Sequence, residues 1–519
     1  RRACTRPTGA SDAIFFRAED GSVRLDLASN RPGWISPMRP VCQEGVTVSN
    51  GLLYWWPSVC DCQLTLYGVT CLGPAGEFGF APDATETARL ERGKDAGTPV
   101  TPLTDHPADW PTFRADNACS ASTSGRVAER PGPLWDFDLD VSTVPGLPRI
   151  TAPVAAGGLV FVGGTDGVVR AIDASLGTAV WKAYTGGAIR IPPTIWEGRA
   201  YVGSGDGWVY CFEAKSGRLL WRFRAAPTER LIPVYGTLMS TWPVAAGVLV
   251  EDGTAYAAAG IANYDGTYVY ALDAQTGAVK WQNGTSGHLD PQARTGVSVQ
   301  GHLLLRGGKL YLSGGTSISP AVYDVATGEC LNDSAQLAEC FSRSPRGWEL
   351  SVLGDQVVAC GKPFYGHPAY DVYDVTVFSR AFLASSGNTS VVWASNAAGH
   401  QVMGFRDFDR ATLARNAANP GNRFEVNWGR LAPSTKPAWS LDLQKAQAMV
   451  VCRNAILLAT DRELMAMDPV NGAVQWRQPL PVPPVLWGLA LDSAGRAIVT
   501  LIDGRVLCFG SVRMVGRGR

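Results

Sequence analysis

Surplus charge is the first thing missing. In 519 residues, Lys+Arg (46) cancels Asp+Glu (46), and charged residues make up only 18%. Binding nucleic acid, or clamping an anionic membrane, needs a basic excess, and none is present. No run of about 18 uninterrupted apolar residues occurs, so no segment reads as a membrane-spanning helix. Histidine is scarce, and His106, His288, His302, His367 and His400 show no HxH or HExxH spacing. Only His288 and His302, flanking one inner strand, are placed to approach each other as a metal or acid/base pair. Gly-x-Ser-x-Gly elbows, Walker loops and dinucleotide fingerprints are missing too, which removes the common nucleophile and phosphate-cradle chemistries. Helix signals are nearly absent; Ala411 to Ala418 is the one stretch that reads as a helical turn. The opening Arg1-Arg2-Ala3, without methionine or an apolar leader, reads as a processed or excised portion of a longer product.

What is abundant is glycine (58), proline (34) and apolar residues (46%), enough for a large core punctuated by turns. The dominant pattern is an internal repeat. One unit runs from Gly158 through Asp166-Gly167, Ala171, Asp173 and Gly177 to Trp181. The next repeats it through Asp206-Gly207, Glu213 and Gly217 to Trp221. Later copies carry Asp265-Gly266 with Asp273, Gly277 and Trp281, then Asp324 with Gly328, then Asp468, Gly472 and Trp476, and finally Asp503-Gly504. The Asp-Gly pairs suit tight type I′ hairpins. Asp-x-x-x-Gly supplies a side-chain acceptor and a residue that turns left-handed. Each unit is then a meander of about four strands with two faces to bury, and radial packing buries both, which predicts a β-propeller.

Eight units, with seven as the alternative, fill 109–510 at about 50 residues each. Their inner strands are expected near Thr151, Pro193, Pro243, Gly301, Glu349, Val391, Met449 and Gly488. Pro133 to Leu139 looks like a Trp-bearing outer strand without its meander, and the last unit lacks one, so the early strand is expected to close the ring. Residues 74–108 read as a linker, 1–73 as a Cys-rich β segment (a cap or the remnant of a preceding propeller), and 511–519 as a tail. Cys4, Cys42, Cys60, Cys62 and Cys71 crowd the first 71 residues, and Cys330 and Cys340 bracket a short loop. Disulfides formed in an oxidising compartment are the expectation for these seven. Cys211, Cys452 and Cys508 sit in apolar strands and read as small buried hydrophobes.

The Ala-x-Asp-x-x-x-Gly-x-x-x-Trp spacing resembles the pyrroloquinoline-quinone-like (PQQ-like) propeller repeat. That repeat is shared by quinoprotein alcohol dehydrogenases and the lipoprotein propeller of the outer-membrane assembly machinery. Asp109-Trp110-Pro111-Thr112-Phe113-Arg114, Ser204 to Phe212 and the Cys42 to Cys62 pattern are similar to an uncharacterised subgroup of bacterial secreted members. The resemblance implies a periplasmic, cell-surface or secreted location. In the dehydrogenases it also implies PQQ on a Trp floor, Ca²⁺ held by carboxylate and amide oxygens, an Asp base, and a disulfide ring between adjacent cysteines. No two cysteines here are adjacent, and no CxxCH heme site occurs.

Residues just before each innermost strand should ring the mouth of the central channel: Arg149, Arg190, Trp242, Gln300, Glu349 and Trp487. Such a set suits a planar or sugar-like ligand through stacking and hydrogen bonds. The blade-turn aspartates read as turn formers without metal. The reading these residues favour is a non-catalytic module that binds a protein or glycan partner through its loop faces. A PQQ-dependent dehydrogenase of alcohols or sugars, with Ca²⁺, is the alternative, and a polysaccharide-cleaving propeller is the third.

Overall fold

In a computed structural model, the described residues are 5–18, 21–36, 38, 40–41, 44–57, 68–73, 86–141, 150–234, 237–261, 265–287, 296–299, 301–313, 320–331, 349–353, 356–360, 381–386, 389–396, 399–406, 418–419, 422–426, 437–443 and 445–512. Among them the only helix is the four-residue Glu86–Arg89, and the remaining regular structure is strand. The expected turn at 411–418 lies almost wholly outside these residues.

The first ring sheet shows the plan. Val154–Ala156, Leu159–Gly163, Val168–Asp173 and Ala179–Tyr184 pair antiparallel in chain order. The same meander recurs in the second sheet (Thr194–Trp196 to Leu219–Arg224), the third (Val248–Glu251 to Val279–Asn283) and the seventh (Ala446–Val451 to Val474–Pro479). The fourth has three described strands, Leu303–Arg306, Lys309–Leu312 and Ala321–Asp324. The fifth pairs Glu349–Leu353 with Gln356–Cys360, which then meets Asn422–Val426 in parallel. The sixth begins at Ala381–Ser386 and ends at Trp439–Asp442. In the eighth, Pro484–Leu491, Ala497–Leu501 and Arg505–Ser511 are completed by Pro131–Asp138, with Val506 opposite Phe137 and Cys508 opposite Trp135. The borrowed strand closes the ring as its sequence predicts.

One turn assignment and one strand assignment change. The type I′ hairpins join the first and second strands, at Gly157-Gly158, Glu197-Gly198, Asp252-Gly253 and Gly307-Gly308, where both residues have positive φ. Asp166-Gly167 instead ends a four-residue turn closed by Gly167 N–H to Gly164 O (3.0 Å), with Asp166 Oδ1 accepting from Val168 N–H (3.1 Å). Val391 lies on the second strand of its sheet, Thr389–Asn396, and Ala381–Ser386 is the inner one. Both runs carry a short apolar stretch and they adjoin in the sequence, so periodicity does not say which is innermost.

The repeat's Trp has a defined seat. Trp135 Nε1–H donates to Ala174 O (3.0 Å), Trp181 to Ala214 O (2.9 Å), Trp281 to Val325 O (2.8 Å) and Trp439 to Pro469 O (3.2 Å). Each acceptor follows the Asp or Glu of the next sheet's turn, and each indole lies on that turn's glycine. The motif is thus a lock between neighbouring sheets.

The described part of 74–108 is docked on the ring. Leu90–Arg92 adds a fifth strand to the second sheet, opposite Phe223 to Trp221. Arg89 is buried between the Phe223 and Tyr270 rings (5.0 and 5.5 Å) and donates to Gln282 Oε1 (2.8 Å). Beyond it, Thr101 N–H donates to Glu213 Oε1 (2.7 Å). Cys211, Cys452 and Cys508 are buried, and Cys71 is an exposed thiol. Cys330 faces Tyr323 in an isolated bridge. Cys4, Cys42, Cys60, Cys62 and Cys340, the other expected disulfide partners, lie outside the described residues, and no disulfide is present among those described.

Candidate functional site

One segment, Asp109 to Val127, runs across the inner strands sheet by sheet. Trp110 exchanges backbone hydrogen bonds with Ala155 of the first sheet (2.7 and 2.8 Å), and Ile195 N–H of the second reaches Pro111 O (2.7 Å). Thr112 Oγ1 meets Thr194 Oγ1 (2.7 Å), which donates on to Val248 O of the third sheet (2.6 Å). Asn117 bridges the third and fourth, through Nδ2 to Val250 O and its carbonyl to Leu305 N–H (both 2.8 Å). Ala121 and Thr123 clasp Val451 of the seventh (2.9 Å each), and Val127 pairs with the Asn454 amide (3.0 Å). The segment is a belt whose own polar groups satisfy strand ends that would otherwise face the channel.

Its centre is Arg114, 2% exposed. The guanidinium donates to Leu350 O (2.7 Å) and Ser351 Oγ (3.0 Å) of the fifth sheet. It also lies 3.9 Å from the ring centroid of Trp487 in the eighth, a close cation–π stack. Trp487 Nε1–H donates to Glu349 Oε2 (3.1 Å), and both residues are buried. Two of the six mouth residues expected from the sequence therefore meet, and the arginine that joins them was not among those six. Arg114 belongs to the Asp109–Arg114 motif, which was legible as a family signature but not as a part reaching the axis.

Behind this stack sits His302, 1% exposed. Its Nε2 accepts from Leu350 N–H (3.0 Å), so the proton is on Nδ1, which faces Leu303 O at 2.9 Å. Burial, then the nearby Arg114 charge, pushes its pKa down to about 3. It is a neutral strut between the fourth and fifth sheets rather than an acid or base. Its expected partner His288 lies outside the described residues. Cys119 Sγ is 3.5 Å from His302 Nδ1, and burial pushes that thiol up to about 12, which leaves it inert.

Backbone strain concentrates here. Arg114, Ala115, Cys119, Ala121 and Trp487 all have φ between +51° and +79°, unusual for side chains of these sizes. Strain of this kind persists only where surrounding contacts over-determine it.

Trp242 sits in a different cluster. Its indole N–H donates to Asp265 O, and its ring lies between Arg230 (4.7 Å) and the edge of Tyr268 (6.5 Å). Arg190 is half-buried just before the second sheet's inner strand, and Arg149 and Gln300 lie outside the described residues. The turn aspartates are engaged by their own neighbours: Asp166 by Arg170 (2.5 Å), Asp206 by Tyr210 (2.6 Å), Asp503 by Arg505 (2.8 Å). Among the described residues, no three His, Cys, Asp or Glu converge as a metal site.

The axial residues do not fit a quinone with its calcium. A planar cofactor stacks on an indole face, and one face of Trp487 is taken by the Arg114 guanidinium. Calcium needs several convergent oxygens, whereas Glu349 accepts the Trp487 N–H and no second carboxylate among the described residues joins it in a metal site.

Residues 125–332 match the family model described as outer membrane protein assembly factor BamB. No curated protein matches the chain. Among solved structures, the quinohemoprotein alcohol dehydrogenase of Comamonas testosteroni is 16% identical at a TM-score of 0.51, over 79% of this chain and 82% of that one. Quinohemoprotein alcohol dehydrogenase ADHIIG of Pseudomonas putida HK5 is 13% identical at 0.52, over 80% and 82%. At these identities the likeness speaks for the fold alone. The repeat lock and the closing strand agree with the family model: residues 125–332 match a PQQ-like propeller family, and the chain shares the propeller fold of these structures.

Proposed function

We propose that the chain is an eight-bladed PQQ-like propeller that works outside the cytoplasm as a binding and scaffold module, engaging a protein or glycan partner through its loop faces. The observation that carries this reading is the Arg114–Trp487–Glu349 stack: the chain's own buried side chains take up one indole face and the carboxylate that the dehydrogenase reading requires. Recognition then falls to the loops, where rigid blades support variable surfaces. Arg149, Arg190, Trp242 and Gln300, which precede inner strands in the sequence, are the mouth residues proposed to meet a partner. The outer-membrane assembly factor named by the family model supports a protein partner and a location beyond the inner membrane. No helix among the described residues is long and apolar enough to cross a membrane.

The test is an absorbance titration of the chain with PQQ and Ca²⁺, then dye-linked oxidation of alcohols and sugars, beside reducing-sugar release from a glycan panel. The expected result is no saturable quinone uptake and no turnover. Saturable uptake with substrate oxidation, or sugar release, overturns the proposal.

A further inference from the structure

Two sheets precede residue 73, and their registers match those of the ring blades. One pairs Thr8–Gly9, Ala13–Ala18, Gly21–Asp26 and Arg31–Ser36 in meander order; the other pairs Thr47–Ser49, Leu52–Trp55 and Thr70–Leu72. In the ring, the two-residue hairpins leave Ala156 opposite Leu159 and Glu251 opposite Thr254. Asn50-Gly51, at φ 50° and 73°, likewise leaves Ser49 opposite Leu52. At the ring's outer turns the Asp pairs with the residue five later, as Asp273 N–H does with Ala278 O, and its carboxylate accepts from the residue three later, as from Thr276. Asp26 pairs with Arg31 and accepts from Ser29 N–H and Oγ (2.8 and 2.9 Å), with Asn30 left-handed where the ring has glycine.

The two sheets also meet as successive blades do. Val46, Leu53 and Trp55 of one pack on Phe15, Ile35 and Met38 beside the other, with Trp55 Nε1–H on Ser22 Oγ (3.0 Å). Cross-strand pairing puts Phe15 on the face of Asp26, the face that in the ring meets the following blade. The opposite face carries Ile14, Phe16, Val23, Leu25, Pro32 and Trp34. In the ring the one-residue shift lies between the outer Trp and its turn, at Ala171/Ile172; here it lies beyond the Trp, at Ser22/Val23. Trp34 is thereby turned to the apolar face and stands 50% exposed. A sheet face apolar at every position is built to be covered.

We propose that this face is an interblade surface whose occupant is a further blade of the same repeat, one that comes before Thr8 in chain order. Residues 8–72 are then two adjoining blades of a second wheel. Chain order follows ring order from sheet to sheet, which assigns the face opposite Asp26 to a preceding unit. A second copy of this chain is the poorer occupant, because six side chains on one small sheet fall well short of the roughly 800 Å² per partner of a stable interface.

Peptide-resolved hydrogen exchange on the chain tests this, alone and with its own residues 150–190 joined before Arg1 through a Gly/Ser linker. In the unmodified chain, amides of Ala13–Ala18 and Gly21–Asp26 are expected to exchange at least tenfold faster than those of Leu159–Gly163 and Val168–Asp173. The added blade should slow them at least tenfold, and the F16S/L25S pair in that fusion should restore the fast rate. Equal exchange in the unmodified chain overturns the proposal, and that comparison decides the matter where the added blade does not fold. A dimer by light scattering that F16S/L25S dissociates assigns the face to a second copy, and overturns it as well.

Discussion

Gly177 and Gly158 belong to the same sheet and share the same backbone restriction, at φ +69° and +79°. Alanine at either position suffers the left-handed penalty of about 1 kcal/mol. Their surroundings differ. A Cβ on Gly158 meets nothing within 4 Å, whereas one on Gly177 would lie 2.5–2.7 Å from Cγ, Cδ2 and Cβ of Trp135. The indole would have to retreat, giving up its packing and its hydrogen bond to Ala174 O. A lost bond with its donor stranded costs about 1–3 kcal/mol, and lost indole packing adds on the order of 1–2 kcal/mol. Gly177→Ala is therefore expected to destabilise by about 3–6 kcal/mol and Gly158→Ala by about 1 kcal/mol, read as denaturant midpoints under one set of conditions. Because Trp135 sits on the borrowed strand, the difference measures the seam that closes the ring. Trp135→Ala with Gly177→Ala should cost clearly less than the sum of the two single changes, since each removes the same contact. Equal effects of the two glycine changes, or full additivity of the double variant, would refute the lock.

Three further outcomes follow from the same geometry. Arg114→Leu removes two buried charge-assisted hydrogen bonds and the stack on Trp487, for an expected loss of about 3–5 kcal/mol by denaturation; a change under about 0.5 kcal/mol would mean the belt does not hold the axis. His302 has its folded pKa lowered to about 3 against about 6.5 unfolded, so between those values the unfolded chain binds the extra proton. Its contribution is complete above about pH 6.5 and is lost as pH falls toward 3, at a slope of up to about 1.4 kcal/mol per pH unit; His302→Gln should flatten that part of a stability–pH profile. Tyr201 Oη–H occupies Ala274 O (2.9 Å), the carbonyl that an indole takes at the equivalent seats, and Trp221 Nε1 has no hydrogen-bond partner among the described residues. Tyr201→Phe should therefore cost under about 1 kcal/mol, because Trp221 can take over the acceptor, and a loss above 2 kcal/mol would show that it cannot.

The ring was legible because its signals are local. Asp273, Gly277 and Trp281 stand four residues apart, and each has a role its chemistry announces: an acceptor, a left-handed turn, an indole. The closing strand was legible by arithmetic alone, one Trp strand too many at the start and one too few at the end. The sheets near Glu349 and Ala381 were poorly legible because they lack the turn triplet, and two adjoining apolar runs look alike to a period-two pattern. The belt was hidden for a different reason. Thr112, Asn117, Ala121 and Thr123 are small or polar, follow no period, and take their conformation from strands up to hundreds of residues away. Such a segment reads as loop in any local window, and nothing in Arg114's neighbours announces that its partners are Leu350, Ser351 and Trp487.

That concealment bears on function. Glu349 and Trp487 were sound candidates by position, since residues opening the inner strands do converge on the axis; what position cannot tell is whether the chain fills the space itself. Here Arg114 packs on Trp487, which in turn bonds Glu349, at the expense of five left-handed non-glycine residues, and strain of roughly 1 kcal/mol apiece is retained only if the contacts it enables outweigh it. Those contacts run from the first sheet to the eighth, so the belt ties together a ring whose fifth sheet shows no Trp–Gly lock among the described residues. An axis used in this way is a structural fastening. A propeller fastened at its centre keeps its blades fixed while leaving its loops free to vary, a division of labour that suits the binding module proposed above.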